Sequence, residues 1–171
     1  MSSRELGLVL AQQLLDVEDL HYGLWDDDLD VSLGNIALAQ QRYTDLLLEW
    51  LERLTANRPA PGLLDVGCGT GHLLQQLLEQ GYRADAVNPS VALNALVRER
   101  LARLPACSAT LYETTFEALP FRKLQQHYDV LLFRESFQYI PLPVIFARVP
   151  GLLRPGGQLL ICDFFKTAAH W

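Results

Sequence analysis

Three glycines stand at alternate positions between two mostly apolar segments. Gly67, Gly69 and Gly71 follow the run 62–66 and precede the leucine-rich run 72–78. Because glycine has no Cβ, such a chain can bend sharply and a ligand can approach its backbone. A helix that begins directly after the bend points its free N–H groups at that ligand. The spacing therefore predicts a ligand-binding turn between a strand and a helix.

A dinucleotide-binding turn is one alternative for this segment. Its fingerprint needs a third glycine at the position of His72 and an acidic residue, which holds the ribose, at the position of Asn88. The sequence offers neither, and it has no recognisable Tyr/Lys pair for hydride transfer. A nicotinamide-dependent reductase is therefore the least favoured functional hypothesis for this chain.

The glycine turn also carries a family resemblance. Residues 64–71 read LDVGCGTG and resemble motif I of the class I S-adenosylmethionine-dependent methyltransferases. Four further segments match this family in its own order, so that the resemblance extends over residues 62–164. They are 87–90 at the end of the second strand, 116–121 in the adenine-binding segment, 128–131 in the fourth strand and 153–157 in the turn before the fifth strand.

A shorter match lies upstream of the glycine turn. Residues 21–25, HYGLW, and Ala39-Gln40 resemble the N-terminal segment of the cyclopropane-synthase-like and small-molecule methyltransferase branch. In that branch the segment folds over the cofactor, which makes Tyr22 and Trp25 candidates for contact with its methionine end. Their rings would attract the sulfonium by cation–π interaction. An aromatic pair that only covers the core is the alternative.

The resemblance implies S-adenosylmethionine as the cofactor. Backbone amides of the glycine turn would meet its methionine tail and ribose. Asp65 would accept hydrogen bonds from the loop or, through water, from the cofactor's ammonium, and stiffening of the turn is its alternative role. The residues that the resemblance places at the cofactor are Tyr22, Trp25, Asp65, Gly67, Cys68, Gly69, Thr70, Gly71, Asn88, Pro89, Phe116, Glu117 and Arg134.

Asn88 departs from the family pattern, which has Asp or Glu at this strand end. An amide can accept from one ribose hydroxyl and donate to the other, but it cannot form a charge-assisted pair. Such hydrogen bonds contribute roughly 1.5–3 kcal/mol, against about 1 kcal/mol for neutral ones. We therefore expect weak cofactor affinity or a different nucleoside ligand.

Methyl transfer is an in-line displacement in which orientation provides much of the rate. A general base is needed only if the acceptor loses a proton, and the candidates are Glu135 and Tyr139 after the fourth strand and His21 in the N-terminal segment. For Glu135, an ion pair with Arg134 or a solvated strand end is the interpretation that we favour. Cys68 is interpreted as a small packing residue rather than a nucleophile.

Composition limits the class of protein. The chain has 171 residues, of which 50% are hydrophobic, enough for the core of one domain. Its net charge of -6 disfavours nucleic-acid partners, and no apolar run is long enough to span a membrane. Cys68, Cys107 and Cys162 lack ligand-like spacing, so we expect no zinc site, no disulfide framework and a cytoplasmic location.

Short apolar runs alternate with helical patterns after Pro61, which is typical of a parallel sheet with crossover helices. With the resemblance, this predicts an α/β fold with a Rossmann-like parallel sheet in the order 3-2-1-4-5. The predicted units are an N-terminal helical lid over 1–58 and the cofactor-binding core over 59–171. We predict strands over 62–66, 83–88, 109–112, 128–134 and 158–164, and helices over 2–17, 35–54, 71–80, 90–103 and 142–149, the last one stopped by Pro150.

The predicted fifth strand, 158–164, forms an apolar edge with unpaired backbone groups. The family normally adds a helix and two strands after it. We expect a homo- or hetero-oligomer to cover this edge, or the chain to be part of a longer protein. The predicted function is methyl transfer to a small-molecule acceptor. A non-catalytic cofactor-binding or assembly subunit, completed by a partner chain, is the alternative.

Overall fold

A computed structural model describes residues 14, 17–104 and 109–164. The helix predicted over 2–17 lies almost entirely outside these residues, and so does Cys107. Among the described helices none is both long enough and apolar enough to cross a membrane.

Five parallel strands form one sheet in the order β3-β2-β1-β4-β5, as predicted. Each inner strand pairs in parallel with both of its neighbours, so that Asp65 of the first strand stands between Ala86 and Leu132. The first and fourth strands are buried along their whole length, which explains their apolar sequences. The strand bounds are β1 Gly62–Val66, β2 Arg83–Val87, β3 Leu111–Tyr112, β4 Tyr128–Arg134 and β5 Leu153–Cys162.

Helices cover both faces of the sheet. One face packs against the first three helices, through residues such as Leu47, Leu73 and Val97. The other face packs against the last helix and the 3₁₀ turn Phe116–Ala118, with Ile145 at its centre. The helix bounds are α1 Ile36–Thr55, α2 His72–Glu79, α3 Val91–Ala102 and α4 Leu142–Leu152.

The end predicted for the last helix was wrong. The helix α4 runs to Leu152, with Pro150 inside its final turn. Three buried side chains at helical spacing, Ile145, Val149 and Leu152, hold this turn against the sheet, and Pro150 itself is exposed. Tertiary packing here outweighs the hydrogen bond that proline removes.

The last strand also begins earlier than predicted. Leu153 pairs with Tyr128, and Gln158 pairs with Val130, so that β5 has an irregularity between these two positions. The intervening segment 154–157 contains Pro155 and the left-handed Gly156, with φ 73°. A bulge therefore accommodates the proline and glycines that the sequence assigns to a turn before the strand.

The described part of the N-terminal segment is mostly irregular. Residues 17–32 have no regular helix, although Val17, Asp19 and His21 are buried. The Leu24 N–H donates to the Ala39 carbonyl of α1 at 2.8 Å. The segment is thus fixed to α1 and the core through buried side chains and backbone hydrogen bonds.

Candidate functional site

The glycine turn follows β1 and has a left-handed backbone at each of its three glycines. The φ angles are 79° at Gly67, 59° at Gly69 and 79° at Gly71. A Cβ on Gly67 would lie 2.6 Å from the Ser136 Cβ, whereas a Cβ on Gly69 would have no atom within 4 Å. The space above Gly69 is therefore open, and the turn needs glycine for its conformation.

A cavity of about 770 Å³ lies at the carboxyl ends of the strands, above this turn. Nine of the predicted cofactor residues and all three candidate bases line it. Among the described lining residues, Arg134 carries a positive charge, and Glu117 and Glu135 carry carboxylates. The lining residues among our predictions are Tyr22, Gly67, Gly69, Thr70, Asn88, Pro89, Phe116, Glu117 and Arg134, with His21, Glu135 and Tyr139.

Four predicted cofactor residues do not line the cavity. The Trp25 indole N–H donates to the Tyr22 carbonyl at 2.8 Å, so that this ring fixes the segment instead. Cys68 is buried, and burial raises the pKa of its thiol well above its usual range, which suits packing and not a nucleophile. Gly71 faces Val97 of α3, and a Cβ on Gly71 would make a tight contact of 3.1 Å with the Val97 side chain. The fourth residue, Asp65, lies beneath the turn.

Asp65 is fully buried, and neither carboxylate oxygen has a hydrogen-bond partner among the described residues. The hydrogen bonds that we expected from the loop are therefore not formed. Burial raises the pKa of Asp65 to about 6, because the charged form is poorly solvated there. The positive charge of Arg134 acts in the opposite direction.

Asn88 connects the end of β2 to the glycine turn. Its Nδ2 donates to the Gly69 carbonyl at 3.3 Å, and its Oδ1 accepts from the Ser90 N–H at 3.5 Å. An aspartate could not make the first of these hydrogen bonds, since it has no N–H donor. Asn88 therefore also holds the turn, a role that the sequence did not indicate.

Asp19 was missed by sequence reasoning, and it connects the N-terminal segment to the core. Its carboxylate lies 2.9 Å from the Arg134 guanidinium and 2.8 Å from His72 Nδ1, with His21 Nε2 at 3.6 Å. Burial acts to raise the pKa of Asp19, but Arg134 and the two histidines outweigh it and hold the pKa well below its usual range. We call the buried residues Asp19, His21 and Arg134, together with the partly buried His72, the buried clasp.

The carboxylate paired with Arg134 is thus Asp19, not the neighbouring Glu135 as the sequence suggested. Glu135 is half-buried, and its Oε1 accepts from the Tyr22 N–H at 3.1 Å. It is therefore neither in the expected ion pair nor at a fully solvated strand end. Burial raises the pKa of Glu135 above its usual range, and the nearby Asp163 acts in the same direction.

His21 and Tyr139 differ in their surroundings. The His21 ring is buried and stacks on Tyr43 at a centroid distance of 4.3 Å. Burial lowers the pKa of His21, which favours the neutral ring at neutral pH. Tyr139 is 55% exposed at the mouth of the cavity. Within the described ranges, no group of His, Cys, Asp or Glu has the arrangement of a metal site.

Comparison with known proteins decides the family. The model of the methyltransferase domain matches residues 64–161, more than half of the chain. The chain belongs to this methyltransferase family. The match begins in β1 and ends in β5, so that it contains the glycine turn and most of the cavity wall.

Curated relatives agree with this assignment. An uncharacterized methyltransferase of Mycobacterium tuberculosis is 30% identical over 136 residues, which cover 77% of this chain and 51% of the relative. The ubiquinone biosynthesis O-methyltransferase of Bordetella avium is 29% identical over 127 residues, covering 71% and 48%. The chain thus spans about half the length of the curated relatives that it matches.

Solved structures share the fold. A candidate sarcosine dimethylglycine methyltransferase from Galdieria sulphuraria superposes with a TM-score of 0.71 at 24% identity, over 85% of this chain and 55% of that one. The glycopeptide N-methyltransferase MtfA in complex with S-adenosylmethionine superposes with a TM-score of 0.58 at 23% identity, covering 69% and 53%. These similarities show a shared fold, and MtfA is an example of that fold solved with S-adenosylmethionine.

The described residues suit this cofactor. The cavity volume is within the usual range for small-molecule sites, roughly 300–1,000 Å³, and the open space above Gly69 allows a ligand to reach the backbone. The unpartnered Asp65 carboxylate beneath the turn suits a ligand with a positive charge. On these observations, the residues present fit the methionine tail and adenosine of S-adenosylmethionine.

Proposed function

We propose that this chain binds S-adenosylmethionine above the glycine turn and transfers its methyl group to a small-molecule acceptor. The observation that carries the proposal is the open, left-handed backbone at Gly69, which forms part of the cavity floor. When bound, the cofactor supplies a methyl carbon activated by the sulfonium. The protein's contribution is to orient the acceptor and to exclude water.

Residues at different positions along the sheet would bind different parts of the cofactor. On the β2 side, Asn88 would hold the ribose through Oδ1, and Phe116 would cover the adenine. Below the turn, the buried Asp65 would attract the ammonium through water. Over the turn, Leu20 and Tyr22 of the N-terminal segment close part of the cavity wall. Their position reduces access of water to the methyl group.

A non-catalytic subunit that needs a partner chain is the second hypothesis. Among the described residues, β5 pairs with β4 on one side only. Leu159 on this strand is 37% exposed, and Phe164 after it is 56% exposed. Two observations would favour the second hypothesis. One is a partner chain that covers this edge, and the other is an isolated chain that binds the cofactor but transfers no methyl group. An oligomer, a cytoplasmic location and the division at residue 58 stay predictions.

Substitution of Gly69 by alanine tests the proposed cofactor site. Gly69→Ala places a methyl group in the cavity, and we expect calorimetry to show affinity for S-adenosylmethionine lowered at least tenfold. Gly81→Ala is a matched control, because Gly81 also has a left-handed φ, 86°, and open space around it. Gly81 lies between α2 and β2, at the amino-terminal ends of the strands and thus at the end of the sheet opposite the cavity. Both variants carry a similar backbone cost, roughly 1–2 kcal/mol.

The comparison of the two alanine variants separates binding from stability. Equal loss of thermal stability in both, with affinity lost only in Gly69→Ala, supports the proposal. Full retention of cofactor affinity by Gly69→Ala would contradict it. Release of S-adenosylhomocysteine in the presence of acceptors then distinguishes an enzyme from a binding subunit.

A further inference from the structure

Glu135 has a strained backbone directly after β4. Its φ is 51°, a left-handed value that costs a non-glycine residue roughly 1–2 kcal/mol. The Glu135 N–H donates to the Cys162 carbonyl of β5 at 2.8 Å, so that the backbone is fixed in this conformation. Strain of this kind persists where the surroundings enforce it, and it is concentrated at functional sites. Here it turns a carboxylate into the cavity wall.

This carboxylate lies on the side of the cavity opposite the proposed adenosine site. The next residue, Ser136, covers Gly67 and donates to the Val66 carbonyl. Glu135 therefore stands beside the glycine turn on the β4 side, whereas Asn88 and Phe116 line the cavity from the β2 and β3 side. An acceptor next to Glu135 would approach the turn from the side that the adenosine leaves open.

The charges around Glu135 favour a cationic acceptor over an anionic one. Arg134 is the cation of the described cavity wall, and Asp19 already neutralises it. Glu117 and Glu135 also line the cavity, and neither forms an ion pair with a described residue. The described charged side chains at this site therefore sum to a net negative charge, which favours positively charged ligands.

Aromatic rings strengthen this preference. Tyr22 and Phe164 make an edge-to-face contact at 5.1 Å between centroids, and they are 71% and 56% exposed. Tyr139 adds a third exposed ring at the cavity mouth. The faces of such rings attract cations, and the Tyr22 backbone is the group that donates to Glu135.

From this geometry, and resting on the proposed function, we propose that the acceptor is an amine and that Glu135 binds it and takes up its proton. The acceptor binds as an ammonium ion, and one N–H proton passes to the Glu135 carboxylate, which frees the nitrogen lone pair. The lone pair forms a bond to the methyl carbon, and the carbon–sulfur bond breaks with its electron pair going to sulfur. The sulfonium becomes a neutral thioether, and the product carries the positive charge as a methylated ammonium ion. The raised pKa of Glu135 supports this role, because it brings the base closer to neutral pH.

Three probes of the same shape and different charge test the preference. The full chain is saturated with S-adenosylhomocysteine and titrated with benzylamine, benzyl alcohol and benzoate. We expect benzylamine to bind at least tenfold more tightly than benzoate. We also expect Glu135→Gln to abolish this difference while leaving affinity for S-adenosylhomocysteine unchanged.

Glu52→Gln is the matched control, because Glu52 is exposed on α1 near the amino-terminal ends of β1 and β2. This variant has the same net charge as Glu135→Gln. It should keep the preference for benzylamine. Absence of benzylamine binding, equal binding of benzoate, or a preference that survives Glu135→Gln would overturn this inference alone. Failure of S-adenosylhomocysteine to bind would overturn the proposed function and this inference with it.

The role as a base has its own readout. Transfer to benzylamine, followed as release of S-adenosylhomocysteine, should fall at least 100-fold in Glu135→Gln and in Glu135→Gly. The glycine variant also relieves the strained φ, so its loss of turnover cannot come from backbone strain, and its melting temperature is measured beside it. Turnover that persists in both variants, or no turnover of benzylamine by the unaltered chain, would overturn the base assignment.

Discussion

At the scale of single residues, the buried carboxylate of Asp65 is a group whose surroundings a ligand would complete. An unpaired charge in a protein interior is costly, and most buried polar groups have a partner. Asp65 has none among the described residues. The position is explained if a cationic group of the bound cofactor completes its surroundings. The residue would then be unfavourable in the free chain and favourable in the complex.

The pH dependence of stability tests this view of Asp65. Its pKa rises from 3.8 to about 6 on folding, so between these values the folded chain binds more protons than the unfolded one. Stability therefore decreases as pH rises through this window, by about 3 kcal/mol. We expect urea unfolding between pH 4 and 7 to show this decrease, and Asp65→Asn to lack it.

Other groups titrate in both chains, so the difference between the two profiles reports on Asp65. Identical profiles for Asp65→Asn and the unaltered chain would contradict the assignment of this pKa. The same variant should bind S-adenosylmethionine more weakly, since the amide offers no charge to the ammonium. Greater stability at neutral pH with weaker binding is the combination that we expect.

At the scale of elements, the buried clasp attaches the irregular N-terminal segment to the ends of β4 and α2. Asp19 contacts Arg134 and His72 across more than fifty residues of sequence. Two further contacts act beside it: Thr70 Oγ1 donates to the Glu18 carbonyl at 2.7 Å, and Arg100 pairs with the Glu18 carboxylate. Because Tyr22 follows this attachment closely, the clasp also fixes the residue that contacts Glu135.

A double-mutant cycle measures the strength of the clasp. Removal of one partner leaves the other charge buried and unpaired, which costs roughly 3–5 kcal/mol. We expect Asp19→Asn and Arg134→Met each to lower the free energy of unfolding in urea by such an amount. The double variant should lose much less than the sum of the two. Additive losses would show that the two side chains do not stabilise each other.

At the scale of the whole molecule, we expect the exposed edge of β5 to govern association. An exposed edge strand presents unpaired N–H and C=O groups to other chains. Among the described residues nothing pairs with the outer side of this strand. We therefore expect the 171-residue chain to self-associate with rising concentration in sedimentation experiments.

Leu159→Lys should reduce this association, because charge on an edge strand opposes pairing. Leu142→Lys is the control: Leu142 is 50% exposed but lies on α4 and not on the edge strand itself. Sedimentation as a monomer at all concentrations, or equal effects of the two substitutions, would show that this edge does not drive association.

Much of the fold was readable from the sequence. The glycine turn, β1 and α2 follow from residues adjacent in the chain, since turn conformation and apolar periodicity depend on near neighbours. The strand order came with the family resemblance, which the methyltransferase domain match supports. The end of α4 was misjudged, because burial of Leu152 against the sheet outweighed the local effect of Pro150.

The tertiary structure alone decided which charges meet. The sequence pairs Arg134 with its neighbour Glu135, but folding brings it to Asp19, 115 positions away. Folding also leaves the Asp65 carboxylate without a hydrogen-bond partner among the described residues, and it holds Glu135 in a strained backbone conformation. Such features depend on contacts between distant segments and on the burial that those contacts produce. Local spacing carries no information about either, so the sequence determined the turn and the sheet, and only the folded chain determined the electrostatics of the site.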